Sequence, residues 1–376
     1  MGASRAKVSG VKALTGTTSD GRTVRRGAAV TRPGREATAR VGRDATIYQV
    51  AARAGVSIAT VSRVLRGTAP VADATRSRVL SAVDELRFTP SRSARSLAEG
   101  QHAANGIVFP DLSGPYFAEV VLGYEEVAAE LGRSVLVLST HGRQAARQMV
   151  MDLASRVDGL VILGRTVGDD VLADLAGRGL PLVLMARDPV ASADTVSSEN
   201  TASARALTAH LVHDHGYRSF AYLGNTTTSR DTSQRWAAFR SVLREAKVPV
   251  PRAPTPCSFD EEDGRVAADR LLRRKRPRAL VCANDEIALG AVMAAEELGL
   301  AVPDDVAVTG WDDVMAARHS RPGLTTVRQP MRELGAWAAR RLHERLAGDA
   351  SEPRHEVLPT QLVQRASCGH HQKEHQ

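Results

Sequence analysis

The sequence predicts a multidomain protein in which a small all-α unit precedes a larger α/β region built on two parallel sheets. Three short stretches of helical period lie between residues 46 and 89. From residue 105 onward, short apolar runs alternate with amphipathic helical stretches, and most of the positive charge lies at the N-terminal end. A chain of 376 residues is long enough for about two to four domains.

The N-terminal end is strongly basic. Residues 1–43 carry a net charge of +8, residues 44–100 carry +3, and the rest of the chain carries −3. Gly, Ser, Thr and Arg dominate residues 1–43, which predicts a disordered tail. A basic end on a slightly acidic body is typical of a polyanion-binding module, although a plain solvated tail has the same composition.

Membrane, disulfide and metal-dependent classes find little support in the sequence. No run approaches the roughly 18 to 20 apolar residues of a membrane span, and no apolar h-region follows the first basic residues, so we expect a cytoplasmic protein. Cys257, Cys282 and Cys368 are odd in number and widely spaced, which predicts reduced structural thiols. We expect no cofactor and no metal site, and a disordered tail over residues 369–376.

Two short helices open the N-terminal unit. Thr46, followed three residues later by Gln49, forms a capping-box pattern in which each side chain bonds a backbone amide of the other residue. Gly55 supplies the left-handed residue for a sharp turn, and Ser57 is placed to cap the second helix.

A third capped helix is predicted to begin near Asp73 and to stop before Pro90. Three short helices with a glycine turn between the first two predict a helix-turn-helix over residues 44–90.

The second helix leaves one polar face outside its apolar stripe. A helix of this kind fits the major groove of B-DNA, where a guanidinium such as that of Arg63 can bond guanine O6 and N7 together. Ile58 and Ala59 can offer apolar contacts, for example to a thymine methyl. The alternative from these residues alone is a three-helix bundle with a solvated arginine. The exposed positions are Ser57, Ile58, Ala59, Ser62, Arg63 and Arg66.

The sequence of the α/β region predicts a separate ligand-binding site. Eight apolar runs read as strands: "GIVFP", "SVLVLS", "DGLVILG", "PLVLMA", "TVSS", "SFAYLG", "ALVCA" and "VAVTGW". Ligands of open parallel sheets lie beyond the carboxyl ends of the strands, so the residues after each run are expected to form the site. These residues are Asp111, Ser113, Thr140, Arg165, Arg187, Asn225, Asn284, Asp285, Asp312 and Asp313.

The stretches "TIYQVAARAGVSIATVSRVLRG" and "VADATRSRVLSAVDELRFTPSRSARSLAEG" resemble the headpiece of the LacI/GalR family of transcriptional repressors. The resemblance implies that Thr46, Ser57, Thr60 and Ser62 hold phosphates while Ile58, Ala59 and Arg63 read bases. It also implies a hinge helix within residues 91–102, with Leu97 as a wedge in the minor groove. Arg92, Ala94 and Arg95 would contact DNA beside it. The sequence departs from the family's usual Asn at Arg66 and at Ser91.

The stretches "FPDLSGPYFAEV", "RVDGLVILG", "CANDEIALGAV", "GWDDVMAARHSRPGLTTVRQPM" and "LVQRASCG" resemble the effector domain of the same family, itself similar to periplasmic sugar-binding proteins. The resemblance implies that Arg235, Asn284 and Asp312 bind the ligand, with Asp111, Ser113, Phe117, Arg187 and Met331 lining the cleft. Many relatives have an acid where this chain has Ala186.

The resemblance also implies the domain plan. A ligand-binding and dimerisation domain would span residues 103–368. One subdomain would comprise residues 103–198 with 331–358, and the other 199–328 with 359–368.

The sequence therefore predicts a ligand-responsive regulator, most simply a repressor. It would bind a double-stranded DNA operator as a homodimer and respond to a sugar or related polyol. Two other classes remain: a periplasmic-type sugar-binding protein, against which the basic headpiece argues, and an α/β enzyme, for which no nucleophile elbow, P-loop or metal-ligand set is present.

Overall fold

The computed structural model describes residues 45–67, 69–88 and 102–369. The chain divides into two compact units, residues 1–89 and 90–376. The basic tail, the predicted hinge helix with Arg92, Ala94, Arg95 and Leu97, and residues 370–376 lie outside the described residues. Among the helices of the described chain, none is long and apolar enough to cross a membrane.

The first unit holds three helices: α1 (Ile47–Ala54), α2 (Ile58–Arg66) and α3 (Asp73–Glu85). The capping box of Thr46 and Gln49 is present, and Gly55 ends α1 at a φ of 64°. Ser57 accepts a hydrogen bond from the amide of Thr60 at 3.2 Å, which caps α2. The local signals of the first two helices are confirmed.

The expected side-chain cap of α3 is wrong. Ala72 occupies the cap position and has no side-chain oxygen to accept an amide hydrogen bond. Asp73 is the first helical residue instead, where its negative charge faces the positive end of the helix dipole. The three helices enclose a small apolar core, made of Val50, Ala51, Ala54, Val61, Val64, Val79 and Ala82.

The second unit alternates strands and helices. Its strands are β1 (Ala104–Phe109), β2 (Ser134–Ser139), β3 (Gly159–Leu163), β4 (Leu182–Met185), β5 (Asp194–Ser198), β6 (Phe220–Leu223), β7 (Ala279–Cys282), β8 (Ala307–Thr309), β9 (Thr326–Arg328), β10 (His355–Leu358) and β11 (Gln361–Val363). Its α-helices are α4 (Pro115–Glu130), α5 (Ala146–Ala154), α6 (Asp169–Gly177), α7 (Thr201–Ala209), α8 (Arg230–Glu245), α9 (Glu261–Lys275), α10 (Asp285–Glu297), α11 (Met315–His319) and α12 (Met331–Leu346). All eight predicted strands are present.

A six-stranded parallel sheet in the order β10-β5-β4-β3-β1-β2 forms the first layered subdomain. Its inner strands are buried on both faces, as their continuous apolar sequences require. Helix α12 returns from the far end of the chain and packs on α4. Gly123 of α4 permits this approach, because a Cβ there would meet the backbone of Arg332 at 2.0 Å.

A three-stranded parallel sheet in the order β6-β7-β8 forms the second subdomain. Beside it lies the antiparallel pair β9 and β11, followed by a 3-10 helix at Ala366–Cys368. Helix α7 continues into a single π-helical turn at His210–Asp214. The chain crosses between the two subdomains three times, after β5, β9 and β10. The space between their two sheets is the cleft.

Candidate functional site

Helix α2 presents one face outward because its opposite face is packed in the core. Val61 and Val64 are buried, whereas Ala59 and Arg63 are exposed and Ile58 keeps 40% of its surface accessible. These three outward residues are the ones predicted to read bases.

Arg63 is an exposed cation among the described side chains of this face. Among the residues that the structure describes, none makes a hydrogen bond or ion pair with its guanidinium, so the group is available to an external acceptor. Thr60 and Ser62 are half-buried, and Ser57 and Thr46 also serve as helix caps. The side chain of Arg66 lies outside what the structure describes.

Tyr48 was not predicted from the sequence. It lies in the first turn of α1, two residues from Thr46, and is 69% exposed. A phenol so exposed in a small unit offers a ring and a hydroxyl to a partner.

The second candidate site is a cavity of about 420 Å³ between the two sheets of the second unit. It lies beyond the carboxyl ends of β1, β3, β4, β7 and β8, where ligands of parallel sheets bind. Six of the eight ligand residues predicted from the resemblance line it: Asp111, Ser113, Phe117, Arg235, Asn284 and Asp312.

Arg187 and Met331 do not line this cavity. The Arg187 guanidinium turns away to donate to the carbonyls of Gly164 and Val167 and to the carboxylate of Asp169. Met331 is buried in the core of the six-stranded sheet. Ala186 lines the cavity instead, at a φ of 51°.

Four further residues that were predicted to form the site from their position after a strand also lie outside the cavity lining. Asp285 accepts hydrogen bonds from Thr326 and from the amide of Val314, and Asp313 pairs with arginines, so both carboxylates hold the second subdomain together. Thr140 and Asn225 do not border the cavity. A separate hollow of about 490 Å³ along α9 contains none of the predicted ligand residues.

Arg235 is held rigidly in the cavity wall. Its Nε donates to Asn200 Oδ1 at 2.7 Å, one terminal nitrogen donates to the carbonyl of Ala283 at 2.8 Å, and its carbon lies 4.2 Å from the centre of the Trp311 ring. The stacking and the two bonds fix the guanidinium plane before any ligand arrives. Asn284 is fixed in the same way, because it caps α10 and donates to Phe259 and Glu286.

Buried acids give the cavity its electrostatic character. Burial raises the pKa of Asp312 well above its ordinary value, and the neighbouring Glu286 carboxylate raises it further. Burial also raises the pKa of Asp231, and it raises the pKa of Glu286 to about 7. A buried acid with a raised pKa keeps its proton to higher pH than a free one, and in that form it can donate as well as accept a hydrogen bond.

Three buried polar atoms of the wall have no hydrogen-bond partner among the described residues: Asp231 Oδ1, Thr232 Oγ1 and Gln329 Oε1. Buried atoms of this kind normally find a partner, so all three are positions where a ligand or water can form a hydrogen bond. Asp312 adopts a φ of 124°, a backbone conformation that is costly for a residue with a Cβ and that tends to occur at functional sites.

The rim of the cleft carries a charged bridge between the subdomains. Asp188 follows β4, and its carboxylate accepts from Arg230 Nε at 2.6 Å and from Arg165 at 3.3 Å. The bond from Arg230 lowers the pKa of Asp188, with Arg165 contributing less. Because Arg230 belongs to the second subdomain, this pair links the two sides of the cleft.

Three of the cavity residues that were not predicted from the sequence share one signal. Tyr116, Asp231 and Glu286 are each the second residue of a helix, namely α4, α8 and α10. The helix N-termini therefore point into the cleft, and extending the strand-end rule by one helical turn would have found them. Gln329 offers no such signal, because it follows the strand β9 that the sequence did not predict.

Both units match known families. Residues 46–91 match the family described as bacterial regulatory proteins, lacI family, and residues 208–368 match the periplasmic binding protein-like domain.

Among curated proteins, the chain is 32% identical to the HTH-type transcriptional regulator DegA of Bacillus subtilis, over 86% of this chain and 97% of that protein. It is 35% identical to the HTH-type transcriptional repressor PurR of Mannheimia succiniciproducens, over 86% and 98%.

Among solved structures, the lac repressor dimer bound to operator and the anti-inducer ONPF aligns with a TM-score of 0.78 and 29% identity, covering 87% of this chain and all of that one. The transcriptional regulator CelR–cellobiose complex aligns with a TM-score of 0.66 and 29% identity, covering 86% of this chain and 99% of that one.

Proposed function

This chain belongs to the LacI family of bacterial transcriptional regulators, and from that premise we propose that it is a cytoplasmic, ligand-responsive repressor. It binds a pseudo-palindromic operator as a homodimer, and a sugar-like small molecule in the cleft controls its affinity for DNA. The helix-turn-helix unit distinguishes this role from that of a periplasmic-type binding protein.

The DNA-reading part of the proposal rests on α2. Its outward face carries Ile58, Ala59 and the exposed Arg63, and its length and capping suit insertion into the major groove. One such helix reads only a half-site, so a symmetric dimer is needed to recognise a full operator. The operator-bound lac repressor dimer supports the same arrangement for this chain.

The ligand part rests on the cavity, which is the observation that carries the proposal. Its volume of about 420 Å³ falls in the range of about 300 to 1,000 Å³ typical of small-molecule sites. Arg235, Asn284 and Asp312 offer polar groups suited to hydroxyls, and Tyr116 and Phe117 supply flat apolar surface. Sugars and polyols present both kinds of surface, and cellobiose bound to CelR supports this class.

The test begins with selection of an operator from random DNA by the full chain. A thermal-shift screen of sugars, polyols and nucleosides then identifies compounds that stabilise the protein, and fluorescence anisotropy measures operator affinity with and without each one. We expect a sugar or polyol to change that affinity by about 5- to 150-fold, the usual size of allosteric coupling. A stabilising compound that leaves DNA affinity unchanged, or is turned over by the protein, would contradict the proposal.

A further inference from the structure

A cluster of metal-ligating side chains lies outside both sites, where α7 ends against the C-terminal 3-10 helix. The Nε2 atoms of His210 and His215 are 3.1 Å apart. Cys368 Sγ lies 3.5 Å from the first nitrogen and 3.6 Å from the second. His210 and Cys368 are buried, and His215 is half-buried. Three donor atoms therefore converge on one point inside the second subdomain.

The backbone has an unusual form where it brings these residues together. In an α-helix, residues five apart point in different directions, because five residues exceed one turn of 3.6. Here the π-helical turn His210–Asp214 closes a hydrogen bond from the amide of His215 to the carbonyl of His210, which places both rings on one side. Such π-turns are rare and recur at functional positions.

The backbone at Gly369 approaches the rings closely. Gly369, at a φ of 129°, passes so near to His215 that a Cβ would lie 2.6 Å from the ring Nδ1. Tyr217 stacks on His215, with the ring centroids 5.5 Å apart, and its hydroxyl donates to the carbonyl of Cys368 at 2.9 Å. The glycine and the tyrosine thus fix Cys368 beside the two imidazoles.

The distances match tetrahedral zinc. With Zn–N bonds of about 2.05 Å and a Zn–S bond of about 2.3 Å, tetrahedral angles place two nitrogens about 3.3 Å apart and each nitrogen about 3.6 Å from the sulfur. The distances of 3.1, 3.5 and 3.6 Å agree with this triangle to within a few tenths of an ångström. A mixed thiolate and imidazole donor set also favours zinc over magnesium or calcium.

The surroundings orient the first ligand. His210 Nδ1 lies 2.6 Å from the carboxylate of Asp214 and 3.2 Å from the side-chain nitrogen of Gln364. The carboxylate can accept a proton from Nδ1, and in that tautomer the Nε2 lone pair is left for a metal ion. A carboxylate behind a ligating histidine is the usual second layer of a zinc site. This arrangement belongs to neither the DNA-reading helix nor the cleft, and it does not depend on the proposed function.

We propose that His210, His215 and Cys368 form a zinc site that ties the 3-10 helix Ala366–Cys368 to the end of α7. Three protein ligands leave the fourth tetrahedral position to a water or another donor. The ion would act structurally, since it joins residues 158 positions apart in sequence.

The decisive measurement is made on the full chain after metal is removed with a chelator and the chelator is dialysed away. Titration with Co²⁺ should produce the visible bands of tetrahedral cobalt and a near-ultraviolet thiolate charge-transfer band, both saturating at one ion per chain. Zn²⁺ should displace them. Absence of the thiolate band from the wild-type protein overturns the proposal without recourse to any variant.

Three variants locate the ion. Cys368→Ser should abolish the charge-transfer band, and Asp214→Asn should weaken Zn²⁺ binding by about 10- to 100-fold, as loss of an outer partner usually does. The control is the triple change His370→Ala, His371→Ala and His375→Ala, which removes the other histidines near the C-terminus. It should leave the cobalt spectrum in place. A spectrum that survives Cys368→Ser but disappears in the triple variant would assign the metal to the tail and overturn the site.

Discussion

The DNA-reading helix and the ligand cleft are built in opposite ways. The first gathers its side chains on nine consecutive residues of α2 and the cap before it. The second draws its lining from positions between Pro110 and Gln329, spread over both sheets of the second unit. A local site depends on the stability of one helix, whereas a distributed site depends on the relative position of two subdomains. A substitution on the outward face of α2 should therefore affect DNA binding alone, and a substitution in the cleft should also affect the stability of the second unit.

The two sites also differ in the free energy of desolvation that their polar groups carry before any ligand binds. Arg63 is exposed to solvent, so its charge carries almost no desolvation penalty before DNA binds. Arg235 and Asp312 are buried and depend on neighbours to offset desolvation. Changing a buried charge should thus disturb both binding and stability, while changing Arg63 should disturb binding alone.

The largest effect is expected from Asp312→Asn, which keeps the shape of the side chain but removes its ability to ionise. We expect ligand affinity to fall by about 10- to 100-fold, because an amide in place of the carboxyl leaves a buried hydrogen bond to the ligand unmade, at a cost of about 1 to 3 kcal/mol. Operator affinity without ligand should be unchanged. Isothermal titration calorimetry measures the first and anisotropy the second, with Asp152→Asn, at an exposed position of α5 outside the cavity, as a matched control. Full ligand affinity in Asp312→Asn would remove this residue from the site.

The second largest effect is expected in the DNA-reading helix α2. Arg63→Ala should weaken operator binding by about 1 to 3 kcal/mol and relax the preference at one base pair in each half-site, while leaving ligand affinity unchanged. Arg78→Ala is the control, since it removes the same charge from an exposed position on α3. Binding-site selection with both variants measures the base preference at each position of the operator. An unchanged base preference in Arg63→Ala would mean that this arginine only holds phosphate.

A third prediction uses the raised pKa of Glu286. A folded-state pKa of about 7, above the unfolded value, means that the folded protein holds the proton more tightly. The wild type therefore loses stability as pH rises from about 4.5 to about 7. Glu286→Gln should match the wild type near pH 4.5 and exceed it by about 1 to 3 kcal/mol at pH 8, since each pKa unit is worth about 1.4 kcal/mol.

Denaturant unfolding of both proteins between pH 4.5 and pH 8 measures this difference. Glu286 also repels the carboxylates of Asp285 and Asp312, so removing its charge adds to the stability of Glu286→Gln at high pH. A stability difference that stays constant with pH would show that Glu286 does not titrate in this range.

The smallest effect is expected from the residue that caps α2, and it concerns stability. Ser57→Ala removes the cap of α2 and should destabilise the N-terminal unit by about 1 kcal/mol, without changing the unfolding of the second unit. Ser57→Asp, which can still accept the amide bond, is the control and should retain most of the stability. Site-resolved hydrogen exchange of residues 58–66 reports the change. Equal protection in wild type and Ser57→Ala would show that the cap contributes nothing.

The first unit and the strands could be predicted because their signals are local. A capping box acts over three residues, as Thr46 and Gln49 show, and a buried strand shows in its own apolar run. The same reasoning failed at α3, where Ala72 has no capping oxygen, and at β9 to β11, which are short and carry little apolar pattern.

The sequence by itself therefore determined the three N-terminal helices, eight of the strands, the exposed face of α2 and the edge of the sheets at which a ligand site would form. Only the tertiary structure decided which side chains enter that site, because a residue after a strand can turn toward the cleft or toward a neighbouring loop. Arg187 turns away to Asp169, whereas Glu286 enters. The meeting of Cys368 with His210 is likewise invisible in sequence spacing, since packing between distant segments creates it.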